Sequence, residues 1–233
     1  MTHRSAFKQA CQAYAQQAGI PIPAEFTTND SYGPAARTLT KAIQKKNKLP
    51  QSGNITPETL LVVGKWMPGA TVGERAVWCM RCMEGPLESI GLNNVGPEVQ
   101  SIQKLGVNDF APGPWPWCAA TVSWALRCAG WKSWAAFAKT GQGEAGVITW
   151  KNAAQAGRYG LSVKNYRTGT TGDLIVFGTD AHHIGFLNGR VNPINGNVQT
   201  IEGNTSSTKP NKNDGLWRRN RNAAAPQTII RVK

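Results

Sequence analysis

The chain has 233 residues, 40% of them apolar, and carries 26 Lys and Arg against 13 Asp and Glu, a formal net charge of +13. Such apolar content suits a soluble globular chain with a real core, and no apolar run approaches the roughly eighteen residues of a membrane span. The start, MTHRSAFKQAC, lacks the continuous apolar stretch of a secretory signal, so synthesis in a cytoplasm is expected, with any outward journey by another route. Residues 1–69 hold eight basic against three acidic side chains, and residues 70–233 eighteen against ten. Both parts are therefore drawn to anionic partners such as nucleic acid, lipid headgroups or an acidic cell wall. Apart from the basic run at residues 218–221, no nucleic-acid reading motif accompanies the charge, and no specific nucleic-acid partner is expected.

Five cysteines, Cys11, Cys79, Cys82, Cys118 and Cys128, form an odd set that fits reduced thiols better than a disulfide framework. Cys79 and Cys82 make a lone CxxC with no second pair or histidine at zinc-site spacing, so they read as two thiols on a helix and no metal is expected.

In chain order, residues 5–18 repeat Phe7, Ala10, Cys11, Tyr14 and Ala18 at helical spacing, with Gly19 as the stop. A second helix begins at Pro34, presents Ala35, Leu39, Ala42 and Ile43, and ends near Asn47. A third is capped by Thr56 with Pro57 inside it and carries Leu60, Leu61 and Val63. These predict a small three-helix bundle over residues 1–69, closed by a linker at Met67–Ala70. The stretch SYGPAARTLTKAIQKKNKLPQSGNITPETLLVVG, residues 31–64, resembles the small helical peptidoglycan-binding module of wall hydrolases. That resemblance implies wall binding and makes Tyr32 a substrate-contacting candidate.

Thr71 and Glu74 then form a T-x-x-E capping box, within a linker and cap at 70–74, for a helix running to about Glu84. GPEVQSIQKLG gives another short helix. Pro112 to Trp117 is a stiff aromatic approach to Cys118, after which Ala119, Val122, Leu126 and Ala129 share a helix face that Gly130 ends. Residues 131–170 are mixed, with a probable loop through Gly141, Gly143 and Gly146. Four strands follow: DLIVF, HIGFL, VQTIE and TIIRV. Helices first and strands after predict an α+β chain with helices packed on an antiparallel sheet.

A thiol at a helix start meets the positive end of the dipole and free backbone N–H groups, which favour thiolate and can stabilise an oxyanion. Cys118 has that seat; Cys128, mid-helix, reads as core. A nucleophilic cysteine needs a base. His3 is near the terminus, leaving His182 and His183. In a strand over 183–187, His183 shares a face with Gly185 and Leu187, but alternation alone does not say which face is the cleft. Glu202 and Asn204, on one face of VQTIEGN, are candidate orienting partners for the imidazole.

PWCAATVSWALRCAG, GDLIVF, HHIGFLNG and TIEGN, with NNVGPEVQSIQKLG upstream and NDGLWRRNR downstream, resemble in order the CHAP domain, a cysteine- and histidine-dependent amidohydrolase or peptidase of the papain-like superfamily. The resemblance spans roughly residues 72–233. It implies Cys118 as nucleophile, His183 rather than His182 as base, and Glu202 and Asn204 as the further site residues. Trp115 and Trp117 are the expected substrate contacts there. Trp117 stands where some members carry Gln, which leaves the second oxyanion donor open. Several members hold calcium in an acidic loop before the nucleophile; here Gly106–Trp117 contains only Asp109, so no calcium is expected.

Together these features imply a peptidoglycan hydrolase similar to a bacteriophage endolysin: cofactor-free, monomeric, made in the host cytoplasm and released through a membrane hole made by another protein. It would act as an N-acetylmuramoyl-L-alanine amidase or an endopeptidase. A bacterial autolysin and a noncatalytic wall-binding protein on the same fold are the alternatives.

Overall fold

The structure, a computed structural model, describes residues 1–107, 111–139, 145–206, 214–222 and 227–233. Asp109, Gly141 and Gly143 lie outside the described residues.

Local capping chemistry accounts for the first helices. Helix α1 (His3–Ala18) starts under the Thr2 side chain, which accepts from Ser5 N, and stops at Gly19 in the left-handed region at φ 64°. Helix α2 (Pro34–Lys46) has Pro at its first position and Lys45 and Lys46 at its negative end. Helix α3 (Pro57–Val63) is capped by Thr56, which accepts from Thr59 N, and runs into a 3-10 turn at Gly64–Trp66. Helix α4 (Val72–Cys82) carries the complete Thr71–Glu74 capping box. The short strand β1 (Gly85–Pro86) follows, then α5 (Pro97–Gly106) and α6 (Cys118–Cys128).

The mixed region holds α7 (Trp134–Ala138), α8 (Val147–Gln155) and β2 (Leu161–Lys164). Then come β3 (Leu174–Phe177), β4 (His183–Leu187), β5 (Val198–Thr205), β6 (Gly215–Arg221) and β7 (Gln227–Val232). All strands join one antiparallel sheet in the order β1-β6-β5-β4-β3-β7-β2. The chain is therefore mixed α+β. Among the described residues no helix is long and apolar enough to cross a membrane.

The sheet is buried on both faces at its centre. Leu174, Val176, Ile184, Phe186 and Ile201 join the helical core, while Ile175, Phe177, Leu187, Val198 and Ile229 form a second cluster. This explains why DLIVF reads as a continuous apolar run rather than an alternating one. Strand β6 went unanticipated because GLWRRNR has only two apolar side chains; its pairing with β5 from Val198↔Arg221 to Glu202↔Trp217 makes it a strand.

The helices of residues 1–69 share the main core with the rest of the chain. Phe7, Leu39, Ile43, Leu60 and Val63 belong to the same apolar cluster as α4, α5, α6 and the sheet. Met67, placed in the expected linker, is 3% exposed in that core. Trp124 Nε1 of α6 donates to Pro57 O at 3.3 Å, and Ser101 Oγ of α5 donates to Glu58 Oε1. Gly64 packs so tightly on α6 that a Cβ there would lie 2.6 Å from Cys128 O. The cause lies in α6. Every residue from Cys118 to Leu126 is buried, so the sheet alone cannot cover it and α3, α4 and α5 enclose the rest. Removing the fully buried Phe7 ring as Phe7→Ala should therefore cost about 3–5 kcal/mol. Calorimetry should show one lowered transition for the whole chain; a second, unshifted transition would mean the two regions unfold independently.

Candidate active site

Cys118 is the first residue of α6, and its N-cap, Trp117, makes no side-chain cap hydrogen bond. The earliest intrahelical bond closing this end is Thr121 N to Trp117 O, so the N–H groups just before it have no intrahelical acceptor. Helix α6 lies against β4 and β5, which brings its start to the end of the sheet where β4 begins. There the Cys118 thiol is near enough to act on the His183 ring and favour its charged form. His183 Nε2 lies 2.9 Å from Glu202 Oε2, which leaves Nδ1 as the ring nitrogen not engaged by the carboxylate.

Glu202 is completely buried. Thr200 Oγ1 donates to its Oε1 at 2.5 Å, Arg221 Nε donates to the same oxygen at 2.9 Å, and Arg221 Nη2 donates to Oε2. The guanidinium thus grips both carboxylate oxygens, a strong charge-assisted geometry. Arg221 also lies over the Phe177 ring at 5.0 Å, and that ring stands 5.7 Å from the His183 ring.

Two pKa shifts follow. Burial disfavours a charge on His183, yet hydrogen bonds to Cys118 and Glu202 and the charges of both prevail, raising its pKa to about 9. Burial would likewise raise Glu202, but the hydrogen bonds from Arg221 and His183, the imidazolium charge and the Thr200 hydroxyl bring it down to about 2.

The local sequence around these residues has steric reasons. A Cβ on Gly185 would lie 2.6 Å from Glu202 Cγ, so this glycine opens the space beside His183 that the carboxylate fills. A Cβ on Gly203 would lie 2.3 Å from Thr121 Oγ1, so that glycine lets β5 approach α6. Asn204 has φ 54°, where Asn is among the better-tolerated residues, and sits within the β5–β6 irregularity between Glu202 and Thr205.

A cleft of about 640 Å³ opens beside the imidazole, lined by Phe177, His182, His183, Asn204, Asn220 and Arg221 among others. Cys118 is 4% exposed, so the imidazole rather than the thiol is presented to this opening.

The expected site residues therefore divide. Cys118, His183 and Glu202 come together. Asn204 lines the cleft, while Glu202 supplies the hydrogen bond to the ring. His182 turns aside to Asp180, with Nδ1 2.8 Å from Oδ1. Trp117 corrects an expectation: its side chain is fully buried, with Nε1 donating to the buried Glu88 carboxylate at 3.0 Å, so the indole cannot contact a polymer. Trp115 is half-buried, its Nε1 donating to Ala111 O at 3.0 Å. The buried Gln103 amide clamps this approach by bonding Gly113 N, Gly113 O and Trp115 O. Tyr32 belongs to the N-terminal helices, its hydroxyl held by Thr40 Oγ1 at 2.8 Å and Gly53 O at 3.0 Å. Cys11, Cys79 and Cys128 are buried free thiols and Cys82 is half-buried. Among the described residues no cluster of three or more His, Cys, Asp or Glu could hold a metal.

Arg221, Thr200 and Phe177 were missed. Thr200 had a legible signal, since it lies two residues before Glu202 on the same strand face. Arg221 had none, because it reaches Glu202 from the adjoining strand. No family model, curated protein or solved structure matches the chain.

The pKa shifts set a pH dependence of stability. The His183 contribution is complete below pH 6.5 and disappears as the pH rises through about 9. The Glu202 contribution is complete above pH 4.5 and disappears as the pH falls through about 2. In Glu202→Gln, NMR titration should place the His183 pKa well below that of the unaltered protein. Its Tm should also decline less between pH 6.5 and 9. An unchanged His183 titration would remove Glu202 from the account.

Proposed function

We propose that the protein is a cysteine-dependent hydrolase of amide bonds in bacterial peptidoglycan, with a papain-like arrangement of its site. The observation that carries this reading is the grouping of Cys118, His183 and Glu202: a thiol at a helix start, an imidazole near enough for the thiol to raise its pKa, and a buried carboxylate hydrogen-bonded to the ring. A structural thiol has no use for a base oriented in this way. The wall as substrate rests on the resemblance of residues 31–64 to wall-binding modules and of residues 72–233 to CHAP domains, and on the +13 charge. An endolysin-like role, reached from the cytoplasm through a membrane hole, follows from the same resemblance.

In the reaction, the Cys118 thiolate attacks the amide carbonyl carbon, and the carbonyl electron pair moves to oxygen. The free N–H groups opening α6 are the donors available to that oxyanion. The pair returns, the C–N bond breaks, and imidazolium His183 gives its proton to the leaving amine. Neutral His183 then takes a proton from water, which attacks the thioester and expels the thiolate, leaving a carboxylic product. Glu202, kept charged by Arg221, holds the ring in the tautomer and orientation that both steps need.

The test is digestion of purified peptidoglycan with the whole protein and identification of the new amino and carboxyl ends by mass spectrometry. New ends are expected with the unaltered protein and none with Cys118→Ala. A lactyl–alanine cut defines an amidase, and a cut within or between peptides an endopeptidase. Unimpaired wall clearance by Cys118→Ala would remove the cysteine mechanism, and no new ends with the unaltered protein would favour a noncatalytic wall binder.

A further inference from the structure

Arg221 uses one edge of its guanidinium on Glu202 and leaves the other open. Nε and Nη2 donate to the two carboxylate oxygens. A guanidinium carries five N–H donors in a fixed fork. The end edge, made by Nη1 and the second N–H of Nη2, has no acceptor among the described residues. The Arg221 side chain is 30% exposed, so a solute can reach it.

The open edge has a place to act. Asn220 and Arg221 line both the cleft beside His183 and an adjoining groove of about 610 Å³, set between the β4–β5 connection and the end of β6. Arg190 lines this groove too, exposed and without an ion-pair partner among the described residues. Glu202 balances the charge of Arg221, but no Asp or Glu lines the groove to balance Arg190.

Much of the remaining wall is carboxamide. Asn188 Nδ2 donates to Gln199 Oε1, and among the described residues the Gln199 Nε2 donors have no acceptor. The exposed side chains of Asn197 and Asn220 make no hydrogen bond among the described residues. The connection that carries Asn197 is held by Tyr166, whose hydroxyl donates to Gly196 O at 2.5 Å. Guanidinium edges suit oxyanions, and carboxamides, which both donate and accept, suit hydroxyls. A bare anion would use the arginines alone, and an uncharged polyol would leave Arg190 unanswered. A carboxylate offers two oxygens, whereas a phosphate presents three to donors arriving from both walls.

We infer that this groove binds a phosphate ester of a polyol, with the phosphate oxygens on Arg190 and the open edge of Arg221 and the hydroxyls on the carboxamides of Asn197, Gln199 and Asn220. Such binding needs no catalysis, so the inference does not rest on the hydrolase reading.

The test is titration of the full chain with sn-glycerol 3-phosphate, followed through the arginine Nε–H and carboxamide signals in NMR. Saturable shifts of Arg190, Arg221, Asn197 and Asn220 are expected. Inorganic phosphate, lacking the hydroxyls, and glycerate, with a carboxylate in place of the phosphate, should each bind at least tenfold more weakly, and glycerol should not bind. Arg190→Gln, at an exposed position, should weaken binding about tenfold, a loss of about 1.4 kcal/mol. Arg158→Gln, which removes an equal charge from another exposed position, and Cys118→Ala should leave it unaltered. Glycerophosphoglycerol, a diester, separates the two sources of this chemistry: tighter binding than the monoester marks a phosphodiester polymer, and weaker binding a soluble ester. No saturable shift with either ester would overturn the inference. So would equal affinity for inorganic phosphate or glycerate, or equal weakening by Arg190→Gln and Arg158→Gln.

Discussion

A carboxylate with no exposure to water must be held charged by its neighbours, and Glu202 is held on every side. Arg221 grips both oxygens, Thr200 donates to one, and His183 takes what remains. Each partner alone would leave a costly buried charge. Together they make Glu202 a fixed negative post, and the imidazole is fixed in turn against Cys118. The buried anion orients the ring and, together with Cys118, raises its pKa.

The surrounding fold supplies the two approaches this arrangement requires. Gly185 leaves room for the Glu202 side chain within the sheet, and Gly203 lets the helix that bears Cys118 come down onto β5. A methyl group at either position would push strand from strand or strand from helix. The buried Glu88–Trp117 hydrogen bond and the Gln103 clamp hold the stretch leading to Cys118. Precision at the thiol thus comes from buried polar contacts on both sides of it.

Helix α6 also links the site to the N-terminal helices. Because it is buried all round, α3 and the turn after it pack directly on its C-terminal half. The N-terminal region is consequently part of the support for the helix that bears Cys118.

By itself the sequence determined what depends on neighbours a few residues away. Thr56, Thr71 and Pro34 start helices because their capping and φ preferences act within one turn, and Gly19 ends one for the same reason. The Cys118 seat at a helix start was legible in this way, as were the strands DLIVF and HIGFL. Tertiary structure decided everything that depends on which strand lies beside which. Arg221 became the partner of Glu202 through β5–β6 pairing, although GLWRRNR carries no strand periodicity. Glu202 rather than Asn204 took the ring nitrogen, while Asn204, left-handed at φ 54°, lines the cleft. Trp117 became core, and residues 1–69 joined a common interior, because a helix buried from Cys118 to Leu126 must be enclosed from every direction. Those outcomes depend on contacts between residues far apart in the chain, and composition and local spacing carry no record of them.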